Sequence, residues 1–267
     1  MAAADPGAAP TQAGRSNLAS RVVVGLFLAV VAIADIWMGG WAFEIMIALG
    51  VSIVFWEWAG MQKISRVFRI TGVGVLLAAM LVAHDGRPVA AIAIVGVGAF
   101  GMLGHMWSSG VFPRGKRWIS TGLLYAGLPG IALIWLRQQP DGFALVMWTM
   151  GVVWATDIFA YFAGRGIGGP KIWTAISPNK TWAGLGGGML AAALFSVLFA
   201  RFAGWPQTVP AMALIGALLA VVAQAGDFFE SWLKRRAGVK DSGTLLGGHG
   251  GVMDRVDGLV PVCVVVA

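Results

Sequence analysis

The sequence is built of apolar blocks about 20 residues long, the length a helix needs to cross the roughly 30 Å hydrocarbon layer of a bilayer. No water reaches backbone amides in that layer, so each block must satisfy its own amides as a helix. The blocks are uninterrupted and do not alternate in polarity, which excludes the strands of an outer-membrane barrel. They place spans near 21–39, 41–61, 68–83, 88–106, 118–136, 142–164, 182–203, 208–229 and 256–267. The expected fold class is all-α, a polytopic integral membrane protein with about nine transmembrane helices. The last block cannot cross alone unless residues before Val256 contribute, and otherwise its helix stops partway. Residues 1–20, rich in Ala, Gly, Pro, Ser and Thr, form an expected disordered tail. Arg21 followed by apolar Val22–Ala34 mimics a signal peptide, but the many later spans favour an uncleaved first helix.

Charge tests this map independently. With the N-terminus cytoplasmic, only Arg87, Arg137 and Arg201 of the 19 Lys and Arg residues fall outside. That bias fixes the orientation. It also accounts for the net charge of +7 without nucleic acid, since anionic lipid head groups and nucleotide phosphates are the natural company of short basic loops at a membrane. The single cysteine, Cys263, permits no intrachain disulfide. Gly186, Gly187 and Gly188 let helix backbones approach closely and carry no chemistry of their own. The tryptophans near span ends, such as Trp37, Trp41, Trp56, Trp58 and Trp107, read as an interfacial belt. Trp173 and Trp182 alone lie near enough to the inner loops to be considered for ligand contact.

Two inner loops, 165–181 and 230–255, are the longest and the richest in Gly and polar residues. Around the second, Asp227, Glu230, Asp241, Asp254 and Asp257 gather with five basic residues, His249 and a glycine run. Asp227 and Glu230 are three apart, as are Asp254 and Asp257, so each pair shares a face if helical. An acid inside a membrane costs about 2.5–3.5 kcal/mol or more, and clustered acids repel one another. A hard cation such as Mg²⁺ offsets both costs with oxygen ligands. Glycines at 247, 248, 250 and 251 let backbone amides approach an anion, while Lys234, Arg235, Lys240 and Arg255 neutralise phosphate oxygens. This equipment is that of phosphoryl or nucleotidyl transfer.

The residues Ser231, Lys234-Arg235, Lys240-Asp241, Gly247, His249-Gly250-Gly251 and Asp254-Arg255-x-Asp257 resemble the signature of phosphatidate cytidylyltransferases, with matching spacing throughout. Asp157-x-x-Ala160-Tyr161-x-x-Gly164-Arg165 and Ser177-Pro178-Asn179-Lys180-Thr181-Trp182 resemble the family's second conserved region. Ala183 departs from it, standing where many relatives carry Glu or Gln. The resemblance implies transfer of the cytidylyl group of CTP to phosphatidate, giving CDP-diacylglycerol and pyrophosphate in phospholipid biosynthesis.

On that resemblance, residues 21–140 are N-terminal transmembrane helices and 141–267 a catalytic transmembrane region. Asp227, Asp254 and Asp257 are expected to hold Mg²⁺, with a second cation as an option. Asp227, Asp254, Lys234, Arg255, His249 and Asp157 form the expected catalytic set. Ser177, Lys180, Thr181, Ser231, Arg235, Lys240, Asp241, Gly250 and Gly251 form the expected substrate-binding set. The expected setting is a bacterial inner membrane with cytoplasmic active-site loops, and homodimerisation is an option the family allows. The nearest alternative is a CTP-dependent polyprenol or phytol kinase, which would release CDP. A transporter is the remoter alternative, because the acids concentrate at one face and no internal repeat is visible.

Overall fold

The computed structural model of the chain describes residues 30–108, 118–243 and 250–267, and these are mostly helical. Residues 30–38 form helical segment α1. There follow α2 (Gly40–Met61), α3 (Arg66–His84), α4 (Pro88–Ser108), α5 (Trp118–Gln138) and α6 (Gly142–Gly166). A short hairpin, β1 (Lys171–Trp173) and β2 (Ser177–Thr181), leads into α7 (Trp182–Phe202) and α8 (Val209–Ala237). The described chain closes with α9 (Met253–Val256) and α10 (Leu259–Val266). Among the described residues, α2, α3, α4, α6, α7 and α8 are the six helices long and apolar enough to cross a membrane. Of the last expected span, 256–267, Val256 ends the short α9 and only α10 lies wholly inside, rising about 12 Å at the α-helical 1.5 Å per residue.

Helices α2 to α5 share one core, built from Val54, Phe55, Trp58, Leu76, Val95, Leu123 and Ile134. Helices α6 to α8 share another, with Val152, Val153, Ala192, Ala200, Leu219 and Ala223. The two are stitched together at one end by Leu233 of α8 and Met253 of α9, which enter the first core. In the second half, α6, α7 and α8 pack with little between their backbones. A Cβ built at Gly188 would lie 3.1 Å from Thr156 O, and one at Gly216 only 2.4 Å from Ala192 O. Gly187 likewise faces α6, whereas a Cβ at Gly186 would meet nothing within 4 Å. Small residues at these positions are what permit such contact in a membrane, where burial of apolar surface supplies no drive for association.

Two expectations about the inner loops need correction. Helix α8 continues to Ala237, so residues 230–237 are helical and the loop expected from 230 starts only after them. Hydropathy falls before the helix does. Lys234, Arg235 and Arg236 in its last turn complement the helix dipole, and Gly238 ends it in the left-handed conformation at φ 73. The expected loop 165–181 contains the antiparallel hairpin, in which Trp173 faces Ser177 and Lys171 faces Thr181. Its strands carry no alternating apolar pattern and were invisible to hydropathy. Trp58 also departs from the interfacial belt. It is fully buried and stacks within an aromatic cluster of Tyr125, Phe229 and Trp232 at the seam of the two halves.

Candidate active site

The helical extension of α8 is what assembles the site. Asp227, Glu230 and Lys234 are spaced three and four residues apart, so they project from one face of α8. Lys234 Nζ lies 2.7 Å from Glu230 Oε2 and 2.7 Å from Asp254 Oδ1, joining α8 to α9. Side-chain exposure is 1% for Glu230 and 11% for Asp254, so this is a desolvated centre and not a solvated loop. One turn back on α8, Asp227 Oδ2 pairs with Lys180 Nζ of β2. Lys180 also sits 4.9 Å over the Phe228 ring.

Asp254 is enclosed on every side. Its Oδ2 accepts hydrogen bonds from Gly251 N at 2.8 Å, Ser242 N at 3.0 Å and Ser242 Oγ at 3.0 Å. Gly250, at φ 79, makes this cradle possible, because a Cβ there would lie 2.6 Å from Asp254 Oδ2. The cradle is braced from the other half of the molecule. Glu57 of α2, 6% exposed, accepts from Val252 N at 3.0 Å and Met253 N at 2.9 Å, and shares the one Ser242 hydroxyl proton with Asp254, its Oε2 lying 3.1 Å from Ser242 Oγ. Those amides open α9, where a carboxylate meets the positive end of the helix and its orphan donors. Glu57 and Ser242 are 185 residues apart in sequence, so no motif joins them.

Burial alone would raise the Asp254 pKa, but the Lys234 ammonium and the amides of Gly251 and Ser242 hold it well below the usual carboxylate range. A depressed folded pKa stabilises the protein fully above the unfolded value of about 3.9, and that stabilisation fades as pH falls through the lower folded value. The share of the stability difference between wild type and Asp254→Asn that comes from this carboxylate is therefore expected to shrink as pH falls below about pH 4. Thermal unfolding in detergent across that range checks this.

Beside α8, a cavity of ≈ 620 Å³ opens between α6, the hairpin and α7. Asp157, Lys180 and Asp227 line it, as expected of a substrate site, together with Arg165, Lys171, Gln224 and Tyr161. Gln224 and Lys171 had no place in the expected set. The available signals were the position of Gln224 three residues before Asp227 and the position of Lys171 on the hairpin. Arg165 Nη1 donates to Tyr161 Oη at 3.1 Å, tying the tyrosine to the cavity rim. Thr181 borders the cavity but is 2% exposed, and its hydroxyl accepts Gly184 N at 3.0 Å to cap α7. Ser177 lies on β2 and Ser231 on α8, both half-buried. Arg235, Lys240, Asp241 and Arg255 are exposed around the same end of the molecule. Trp173 and Trp182 are exposed and do not line the cavity. His249, with Gly247 and Gly248, lies outside the described residues.

Among the described residues no three Asp, Glu, His or Cys side chains converge closely enough to enclose a metal ion. Asp227 and Asp254, two of the three expected ligands, are held by lysines instead. The donor chemistry nevertheless suits a hard cation. Glu230 Oε1 is buried and has no hydrogen-bond partner. Asp257 lies between α9 and α10, outside the six candidate spans, with Oδ1 accepting Gly258 N at 2.9 Å. Burial pushes its pKa up to about 9, and the charges of Asp227 and Glu230 add to the rise. Oxygen donors in surplus over positive charge are what Mg²⁺ prefers.

Residues 19–267 match the model of the cytidylyltransferase family. A phosphatidate cytidylyltransferase of Brucella abortus is 41% identical over 261 residues, covering 92% of this chain and 90% of the relative. That of Pseudomonas aeruginosa is 34% identical, covering 91% of this chain and 93% of its own. That of Bacillus subtilis is 31% identical, covering 90% and 93%.

Proposed function

Because the chain belongs to the cytidylyltransferase family, we propose that its cavity and the adjoining Lys234 centre transfer the cytidylyl group of CTP to phosphatidate. The chain is an enzyme of phospholipid synthesis. An oxygen of the lipid phosphate attacks the α-phosphorus of CTP, a P–O bond forms, the bond from the α-phosphorus to the bridging oxygen breaks, and pyrophosphate leaves. A phosphate monoester is already largely ionised near neutral pH, so no protein nucleophile is required. Catalysis then rests on positioning and on positive charge aimed at the reacting phosphates. The observation that carries this reading is the cavity in which Lys180, Lys171 and Arg165 face Asp157 and Asp227.

In this reading Lys180, Lys171 and Arg165 receive the triphosphate, while Gln224 orients it from the cavity wall and Ser177 adds a hydroxyl from β2. Lys234, Arg235 and Arg255 gather charge at the end of α8 where the lipid phosphate arrives. Asp227, Asp254 and Asp257 are the residues that would hold Mg²⁺, with Glu230 Oε1 as an additional oxygen. When bound, the cation would neutralise phosphate charge and polarise the α-phosphoryl group. Lys180 and Lys234 then have two partners to choose between, a carboxylate or a phosphate. The polyprenol or phytol kinase alternative is not favoured, since the matching relatives are cytidylyltransferases.

The same reading takes α1, α5 and α10 as further membrane segments, giving the count of about nine. It sets residues 141–267 as the catalytic region, in a bacterial inner membrane with the loops cytoplasmic. Two features support that sidedness. The end of α2 meets Ser242 and α9, and the same end holds Lys63 in the α2–α3 connection with Arg66 and Arg69 at the start of α3. Homodimerisation belongs to the reading as well, and sizing in detergent tests it. Purified protein given CTP, phosphatidate and Mg²⁺ is expected to form pyrophosphate and CDP-diacylglycerol in equal amounts. EDTA should stop both and added Mg²⁺ restore both. Release of CDP, or turnover indifferent to EDTA, would contradict the reading.

A further inference from the structure

A second cavity, of ≈ 590 Å³, runs between α2 and α3. Leu49, Ile53, Trp56, Ile70 and Val73 give it apolar walls, and Arg69 stands at one end. The stripe from Leu49 to Gly60 on α2 spans roughly 16 Å at the α-helical rise. That is about half of the ~30 Å hydrocarbon layer, the depth of one leaflet. The groove starts at the basic α2–α3 connection and ends near the middle of α2.

Its upper end carries Arg69 and also Glu57. The Glu57 carboxylate oxygens are engaged by Val252 N, Met253 N and Ser242 Oγ, which leaves the arginine as the group for an incoming anion. Arg69 is half-buried, with Nε donating to Ile64 O at 3.0 Å and the guanidinium carbon 5.5 Å over the Trp56 ring. These contacts aim a planar cation of the kind that grips phosphate. The inner wall at this end is Ser242 and Gly243, and Ser242 is the residue whose amide and hydroxyl hold Asp254. The groove therefore adjoins the loop that organises the reaction centre while its length faces lipid.

We propose that this groove is the binding subsite for the phospholipid substrate, one acyl chain lying between α2 and α3 and the phosphate meeting Arg69 before transfer. The proposal rests on the cytidylyltransferase reading and adds to it where the lipid sits. The occupant is the substrate and not a permanent structural lipid, because the anion-binding end borders the Asp254 cradle.

The test is steady-state kinetics in mixed micelles, varying phosphatidate at saturating CTP and then the reverse. Arg69→Ala is expected to raise the apparent KM for dioleoyl phosphatidate at least about tenfold, the scale of one lost charge-assisted hydrogen bond. KM for CTP should stay within about twofold, and Arg69→Lys should recover much of the loss. Ile53→Trp, which fills the groove, should raise KM for the dioleoyl lipid but leave that for a dihexanoyl lipid within about twofold. Either variant suffices if the other does not fold. An unchanged lipid KM, equal rises for CTP and lipid, or equal penalties for long and short chains would overturn the proposal. No turnover by wild type would instead overturn the reading beneath it, and the subsite with it.

Discussion

Lys234→Met is expected to abolish measurable turnover and to destabilise the protein by about 3–5 kcal/mol, the cost of leaving buried carboxylates without their counter-charge. The size follows from burial. Lys234 is 2.7 Å from both Glu230 and Asp254, whose side chains are 1% and 11% exposed. An exposed ion pair would contribute under about 1 kcal/mol, and the same substitution there would pass unnoticed. Stability and chemistry separate in the double variant Lys234→Met with Glu230→Gln. Removing the more deeply buried of the two stranded charges should restore part of the lost thermal stability, because Asp254 keeps the amides of Gly251 and Ser242 as partners. Turnover should not return, because the Lys234 ammonium is then missing from the end of α8 where the lipid phosphate arrives. Recovery of turnover along with stability would assign Lys234 to folding alone.

Glu57→Ala is the second large effect, and it falls in the half of the chain that bears no signature. It removes the acceptor for Val252 N and Met253 N at once, and one of the two acceptors of Ser242 Oγ. Each buried donor left without a partner costs about 1–3 kcal/mol. The cradle of Asp254 shares Ser242 with Glu57, so turnover is expected to fall at least about a hundredfold as that carboxylate loses its fixed position. Glu57→Gln keeps one acceptor oxygen and should give intermediate stability and turnover. Ser242→Ala loses the hydroxyl and keeps the backbone amide on Asp254, so it should be milder than Glu57→Ala. Unfolding and turnover measured on the three variants check the order. Wild-type turnover in Glu57→Ala would show that α2 does not brace the site.

What could be read from the sequence follows sequence distance. Asp227, Glu230 and Lys234 lie within eight residues of α8 and repeat at helical spacing, so their common face was recoverable without coordinates. The spans α2, α3, α4, α6, α7 and α8 were legible because length and hydropathy suffice to define them. The end of α8 was not, since charge and a glycine cap govern it and hydropathy does not. The hairpin before α7 was hidden because Ser177–Thr181 has no apolar alternation and only Thr181 as a β-branched residue to announce a strand. Pairings across elements were hidden most deeply. Lys180 and Asp227 are 47 residues apart, and Glu57 and Ser242 are 185 apart. A motif could place the first pair in one site, but only packing of α2 against α9 reveals the second.

The fate of the CTP phosphorus atoms tests the central claim most directly. CTP labelled on its α-phosphorus should transfer label into the chloroform-soluble lipid in step with turnover, while CTP labelled on its γ-phosphorus should leave all label in water-soluble pyrophosphate. Lys234→Met should transfer neither. Label from the γ-phosphorus appearing in lipid, with the α-label remaining in released CDP, would contradict the account and make the enzyme a lipid kinase.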